Sequence, residues 1–449
     1  MFRKILIANR GEIAVRIIRA AKGMGIETVA VYSTADKDAL HVQLANQAVC
    51  VGGPLPKDSY LHMENILSAA ISTGCEAIHP GYGFLSENTK FARLVEQCNL
   101  SFIGPGHEAI DIMGNKSKAR DTMIKHGVPV VPGTGIIKDV QDGLDSASKM
   151  GYPVLIKASA GGGGKGMRAV HDPGSFKKEF DMATSEALSA FGDGSVYLEK
   201  LIINPKHIEF QLIGDKHGNY VHLYERDCSI QRNHQKIIEE APCRTLKEEV
   251  RRKMARDVIS AAKAINYVNA GTFEFIMDKD QNYYFIEMNT RIQVEHPITE
   301  MVTGIDIIKE QIRVAAGQPL SVKQGDVQIR GYSIECRINA EDPKNGFRPS
   351  AGKIQNLVAP GGFGVRVDTA LYNGFVVPPF YDSMVAKLIV HGKNRLECIR
   401  KMRAALEELI IEGIDTNIEL HYGIFHHVKY VEGNFDTGFL ADFLSEADK

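Results

Sequence analysis

The chain has 449 residues, is 44% hydrophobic and 24% charged, and carries a formal net charge of -2. That length exceeds a single hydrophobic core and predicts two or three domains, while the near-neutral balance excludes a general nucleic-acid or membrane surface, which needs a basic excess. The seven scattered cysteines form no CxxC pair, which argues against a disulfide framework or a structural zinc and suits a reducing, cytoplasmic setting.

The opening residues MFRKILIANRGE hold too short an apolar run for a signal peptide, and no segment approaches the roughly 18 apolar residues of a membrane span. Lys4 to Ala8 reads as a strand, followed by a helical pattern through Ile13, Ile17 and Ile18. Thr28 to Tyr32 is a second strand, Leu61 to Ser72 a helix, Ala77 to Ile78 a strand and Phe91 to Gln97 a helix. Repeated βα units predict a parallel sheet covered on both faces, with ligands at the carboxyl ends of its strands. The turns Asn9-Arg10-Gly11 and His79-Pro80-Gly81-Tyr82-Gly83 lie at such ends.

Val128 to Gly133 reads as a linker. A strand from Val154 to Lys157 then leads into the glycines 161–164, Lys165 and Gly166, and a second strand follows from Met167. A strand after the loop, not a helix, removes the dinucleotide-binding reading of GxGxxG. The Walker A pattern fails as well, since Gly166 follows Lys165. What remains is a glycine-rich hairpin loop, able to lay backbone N–H groups over phosphates, or else a flexible hinge. Lys157 beside it favours the phosphate reading.

Strands are frequent from His207 onward: His207 to Gly214, Tyr220 to Glu225, Thr272 to Met277, Tyr283 to Met288 and Tyr332 to Asn339. The turn Asp278-Lys279-Asp280 makes a hairpin that can set Glu274 beside Glu287, with Asn289 two residues on. Hard oxygen donors in that arrangement suit Mg²⁺ or Mn²⁺ on nucleotide phosphates, or form a paired structural carboxylate. The polar run Glu225 to Lys236 offers Gln231, His234 and Lys236 to a nucleotide or an anion, or is a solvated face. Cys228 within it reads as a packing residue. Arg337, an isolated Arg in an apolar strand, is either an ion-pair partner or an anion-stabilising group. A helix is expected from Arg395 to Glu412.

The most informative stretch is Phe285 to Glu300. Alternate residues Glu287, Asn289, Arg291, Gln293 and Glu295 are polar, and those between are almost all apolar. On an extended chain the polar set shares one face and the other packs on a core. Two acids flanking an Arg suit a site that handles both a cation and an anion.

Together these motifs resemble the biotin carboxylase family of the ATP-grasp superfamily. The resemblance runs nearly end to end: KILIANRGEIAVRIIRA, AIHPGYGFLSEN, MGNKSKAR, YPVLIKASAGGGGKGM, ERDCSIQRNHQK, AGTFEFI, FIEMNTRIQVEHPITE, ECRINAEDP, PGGFGVRVD and PPFYDSMVAKLI. It implies an α/β fold of three parts: a Rossmann-like (PreATP-grasp) N-terminal domain over 1–114, an ATP-grasp domain over 115–330 with a mobile lid at about 131–203, and a C-terminal biotin carboxylase domain over 331–446.

The resemblance also implies roles. Lys116, Lys157, Gly163, Gly164, Glu199, Lys200, Leu201, Ile202, His207, Gln231 and His234 would contact ATP, with Glu274 and Glu287 in the same site. Glu274, Glu287 and Asn289 would hold two Mg²⁺ or Mn²⁺ ions. Lys236, Arg291, Gln293 and Val294 would bind bicarbonate. Glu295 would be the general base, Arg337 would face the biotin ureido oxygen, and Tyr82 would be a second biotin contact. Ala160, Lys165 and Asn233 depart from the family's common residues. No AMKM-type sequence for biotin attachment occurs, so biotin is expected on a separate carrier protein, with carboxyltransferase subunits as further partners and a homodimer as the family tendency. Acetyl-CoA carboxylase is the expected complex, with pyruvate and propionyl-CoA carboxylases as alternatives. Another ATP-grasp ligase would lack a reason for the Arg291-to-Glu295 series, and a non-catalytic relative would lack Glu295 or Arg291.

Overall fold

A computed structural model describes residues 1–159 and 167–447. Contacts divide the chain into two units, one of Met1–Val128, Lys206–Phe275 and Glu287–Lys449, the other of Pro129–Pro205 and Ile276–Ile286.

In the first unit, the apolar run after Arg3 becomes β1 (Lys4–Ile7), and the helix Gly11–Gly23 buries Ile13, Ile17 and Ile18 behind it. With β2 (Glu27–Ser33), β3 (Gln47–Gly52), β4 (Ala77–His79) and β5 (Ser101–Phe102) it forms a parallel sheet in the order β3-β2-β1-β4-β5. Strand order reverses between β1 and β4, so the two turns singled out in the sequence face one another there. Asn9 closes the crevice by donating to the Pro80 and Tyr82 carbonyls, both at 2.7 Å. Gly81 must be glycine: its φ is +63°, and a Cβ would stand 2.9 Å from Asn9 Nδ2.

The second unit holds β6 (Gly133–Ile136), β7 (Val154–Ala158), β8 (Met167–Val170) and β9 (Val196–Lys200), in the order β6-β9-β7-β8. Ile156, Leu198 and Phe176 centre its own small core. A strand does follow the glycine run, and β7 pairs antiparallel with β8 across it. Gly163, Gly164, Ala160 and Lys165 lie outside the described residues.

A second sheet has eight strands. Six are β10 (Lys206–Gly214), β11 (Tyr220–Arg232), β12 (Gln235–Ala241), β13 (Asn269–Met277), β14 (Tyr283–Asn289) and β15 (Tyr332–Asn339). The order is β14-β13-β10-β11-β12-β15, then Met384–Gly392 and Val365–Thr369. Two expectations change. The strand from Tyr220 runs on to Arg232, because β12 turns back and pairs along it. The helix from Arg395 stops at Glu408, and Ile410–Glu412 pairs instead with the strand Asn356–Val358, where two β-branched isoleucines suit a pleat. Among the described residues no helix is long and apolar enough to cross a membrane.

Candidate functional site

The alternating segment does not remain extended. β14 ends at Asn289, the residues to Val294 are irregular, and Glu295 is the N-cap of the helix His296–Thr303 with φ −82° and ψ 10°. Pro297 in the first helical turn, with its φ preset for a helix, favours that start. Glu87 anchors the turn by accepting from the Thr290 backbone at 2.9 Å and hydroxyl at 3.2 Å. Pleating therefore places Glu287 and Asn289, whereas the turn places Arg291, Gln293 and Glu295.

Lys236, near the start of β12, is the hub. Its ammonium donates to Glu209, to Glu274 at 2.9 Å and to Glu295 at 2.8 Å. Burial alone would discharge it, but these three carboxylates hold its pKa well above the ordinary lysine value. Burial likewise raises Glu274, yet Lys236 and His207 outweigh it and hold that carboxyl below its usual range. Glu274 also accepts from Asn289 and Gln293, both at 2.6 Å. His207 Nε2 lies 2.8 Å from Glu274, and its Nδ1 is met by Gln231 at 2.8 Å. The Gln231 amide fixes Nδ1 as acceptor and Nε2 as donor.

Glu295 faces a second cation. Arg337 on β15 donates to it through Nη2 at 3.0 Å and to Glu239 through Nε at 2.5 Å. Burial would raise Glu295, but Lys236, Arg337 and Arg226 together hold it well below the usual carboxylate range. Arg226, wholly buried, lies behind this layer and donates to Glu209, to Gln211 at 2.9 Å and to Gln293 at 2.6 Å. Cys228 is a packing residue: burial pushes its thiol well up, and its Sγ is 4.0 Å from Glu295.

Arg291 donates to Asn289 Oδ1 at 2.8 Å and to Glu87 at 2.9 Å. The Val294 carbonyl accepts from the buried Lys387 at 2.9 Å. Tyr82 donates its hydroxyl to Glu12, which also pairs with Lys387 at 3.1 Å. Lys116 is exposed at the start of the helix Lys116–Lys125. His234 and Asn233 form the exposed β11–β12 turn with φ of +65° and +48°. Two left-handed residues make a type I′-like hairpin, which Asn tolerates well, so the departure at Asn233 has a backbone reason. In the second unit Lys157 pairs with Glu199. Lys200 donates to the Gly151 and Tyr152 carbonyls at 2.8 and 3.1 Å, and Leu201 and Ile202 are half-buried just after β9.

Glu287 is exposed, yet surrounding protein and then the charge of Glu274 raise its pKa. A divalent cation at these two carboxylates would offset that repulsion, so the oxygen donors fit a hard metal. Among the described residues, the tightest groupings of metal-capable atoms are His207, Glu209 and Glu274, and Glu209, Cys228 and Glu295. Carboxylates of both already hold the Lys236 ammonium as their cation. Sequence reasoning missed Glu87, Glu209, Arg226, Glu239 and Lys387. Glu209 and Glu239 are acids inside apolar strand sequence, the same signal that marked Arg337.

Three family models match consecutive stretches: the biotin carboxylase N-terminal domain over residues 1–110, the ATP binding domain of the carbamoyl-phosphate synthase L chain over 115–323, and the biotin carboxylase C-terminal domain over 335–442. The chain is similar to biotin carboxylase 1 of Bacillus subtilis, with 55% identity over 445 residues and 99% of each chain covered. It resembles the biotin carboxylase domain dimer of the Hydrogenobacter thermophilus 2-oxoglutarate carboxylase, solved with MgADP, ADP and bicarbonate, at a TM-score of 0.92 and 52% identity over 98% of each chain. It also resembles biotin carboxylase of Campylobacter jejuni, solved as a β-γ-ATP complex, at a TM-score of 0.93 and 48% identity over 98% of this chain and 99% of that one.

Proposed function

Since this chain belongs to the biotin carboxylase family, we propose that it carboxylates biotin on a carrier protein, using ATP and bicarbonate, through the residues described above. The observation that carries the residue assignment is the Lys236 hub: one ammonium bonded to Glu209, Glu274 and Glu295, with Arg337 on the far side of Glu295. Lys236, Arg291, Gln293 and the Val294 backbone hold bicarbonate. Glu295 removes its proton, and the bicarbonate oxygen attacks the γ-phosphoryl of ATP, giving carboxyphosphate and ADP. Carboxyphosphate breaks to CO₂ and phosphate, phosphate takes the biotin N1 proton, and N1 adds to CO₂. Arg337 meets the negative charge that develops on the ureido oxygen, as a cation already in place.

Glu295 sits too low to be a strong base while Lys236 and Arg337 are both on it. Bicarbonate, as an anion, draws the ammonium to itself and so raises Glu295 toward the range where proton transfer is efficient. Glu274, Glu287 and Asn289 would hold Mg²⁺ or Mn²⁺, which neutralises phosphate charge when bound. Lys116, His207, Gln231 and His234 are assigned to ATP, as are Lys157, Gly163, Gly164, Glu199, Lys200, Leu201 and Ile202. Tyr82 is assigned to biotin through its ring, since its hydroxyl is engaged by Glu12.

The domain limits 1–114, 115–330 and 331–446 remain our reading, as do a separate carrier, carboxyltransferase subunits and a homodimer like that of the Hydrogenobacter relative. Acetyl-CoA carboxylase is our proposed complex. A reducing cytoplasm suits the seven free cysteines. Bicarbonate-dependent ADP release that rises with added biotin tests the reaction, and ADP release indifferent to bicarbonate would reject it. Capture of the carrier and transferase subunits by the tagged chain tests the complex.

A further inference from the structure

Glu239 on β12 and Glu335 on β15 stand directly opposite one another in an antiparallel pair. Side chains so placed share one face, with Cβ atoms about 5 Å apart. Both residues are wholly buried. Glu239 Oε1 accepts from Arg337 Nε, while Glu239 Oε2 and both Glu335 oxygens have no hydrogen-bond partner among the described residues. Arg337 thus spans the proposed base, Glu295, and one member of a buried acid pair. The reaction proposed above uses neither Glu239 nor Glu335.

We infer that Glu239 is a positioning residue for Arg337, holding the guanidinium by Nε so that Nη2 points at the reacting groups. The inference deepens the reading of Arg337 as the group that meets the biotin ureido oxygen. Two adjacent buried carboxylates cannot both ionise at low cost, so the pair keeps one proton. Arg337, Glu295 and Lys236 face Glu239; Lys387, Glu239, Arg337 and Glu295 face Glu335. Burial is the largest influence on both. It raises Glu239 to about 7 against the pull of Arg337, and holds Glu335 well above the usual range. Glu335 therefore keeps the proton, and Glu239 ionises near neutrality. Above about pH 7 Arg337 is anchored; below it the anchor loses its charge, and efficiency toward biotin falls.

The test compares bicarbonate-dependent ATP cleavage by the full chain without biotin and with free biotin, across pH. If wild type shows no biotin stimulation, the biotin carboxylase reading fails before Glu239 is in question. Given stimulation, Glu239→Gln should lower kcat/KM for biotin by about tenfold or more, at least about fivefold beyond any loss of cleavage without biotin, and remove the pH limb near 7. Glu335→Gln, an amide in place of a neutral carboxyl, should keep that limb in place, which assigns it to Glu239. Equal loss of both reactions in Glu239→Gln marks a merely structural acid and overturns the inference. So does disappearance of the limb in Glu335→Gln. A thermal melt of each variant shows that the fold is retained.

Discussion

Glu295 illustrates how a residue's chemistry depends on its neighbours more than on its type. Two cations hold it ionised, so it is ready to accept a proton but weakly basic until they are shared. Glu295→Gln should cut turnover about a thousandfold, the scale of a lost general base, while nucleotide affinity measured by calorimetry stays within a few-fold. Lys236 makes a different prediction. Lys236→Met leaves Glu209, Glu274 and Glu295 short of a buried partner, at a cost of about 3 kcal/mol in stability. That cost should shrink in acid, where the stranded carboxyls protonate, and denaturation at two pH values reads it. Polarity within an apolar pattern marked Glu274, Glu287 and Arg337 in the sequence. Glu209 and Glu239 carried the same mark but stand 27 and 98 residues from the Lys236 and Arg337 they bind, and one-dimensional reading has no means to pair them.

At the scale of elements, the lesson lies in where strands stop. Period-two alternation from Glu287 to Glu295 was legible, but only its first three residues are pleated. A helix start needs its own cap and first turn, and with Pro297 in that turn the cap falls on Glu295, the last residue of the alternating stretch. The β11–β12 hairpin makes the complementary case. Both loop residues are left-handed, which Asn accepts and a β-branched residue resists. Asn233→Val should destabilise the hairpin by about 1–2 kcal/mol, seen as faster amide exchange in Arg232 to Lys236, whereas Asn233→Gly should not. In the second unit Gly143 lies against Phe176, and a Cβ there would meet the ring at 2.5 Å. Gly143→Ala should therefore loosen that unit's core, with exchange rising in β7 and β9 and not in β1 or β4.

Across the whole molecule, pH acts through opposed sets of buried groups. Burial depresses His41 and His421 to about 4, His79 to about 3 and His296 well below 6.5. Their stabilising effect is present above 6.5 and is lost as pH falls toward the folded values. Burial raises Glu12, Glu239 and Glu335, whose effect is present below 4.5 and is lost as pH rises through their folded values. Between pH 6.5 and 4.5 the two sets oppose one another, and the melting temperature should be nearly level. Below 4.5 the unfolded chain takes protons that the lowered carboxyls Asp36, Glu240, Glu274 and Glu295 refuse in the fold, so the melting temperature should drop steeply; a melting series over pH checks both parts. The α/β class and the strand pair β7–β8 were legible in the chain because periodicity is a local property, and the family was legible as a resemblance of whole motifs. Tertiary structure alone decided that Lys236 joins Glu209, Glu274 and Glu295, and that Arg337 links Glu295 to Glu239. Partners of buried charges are chosen by which strands pair, and strand order in the eight-stranded sheet does not follow chain order.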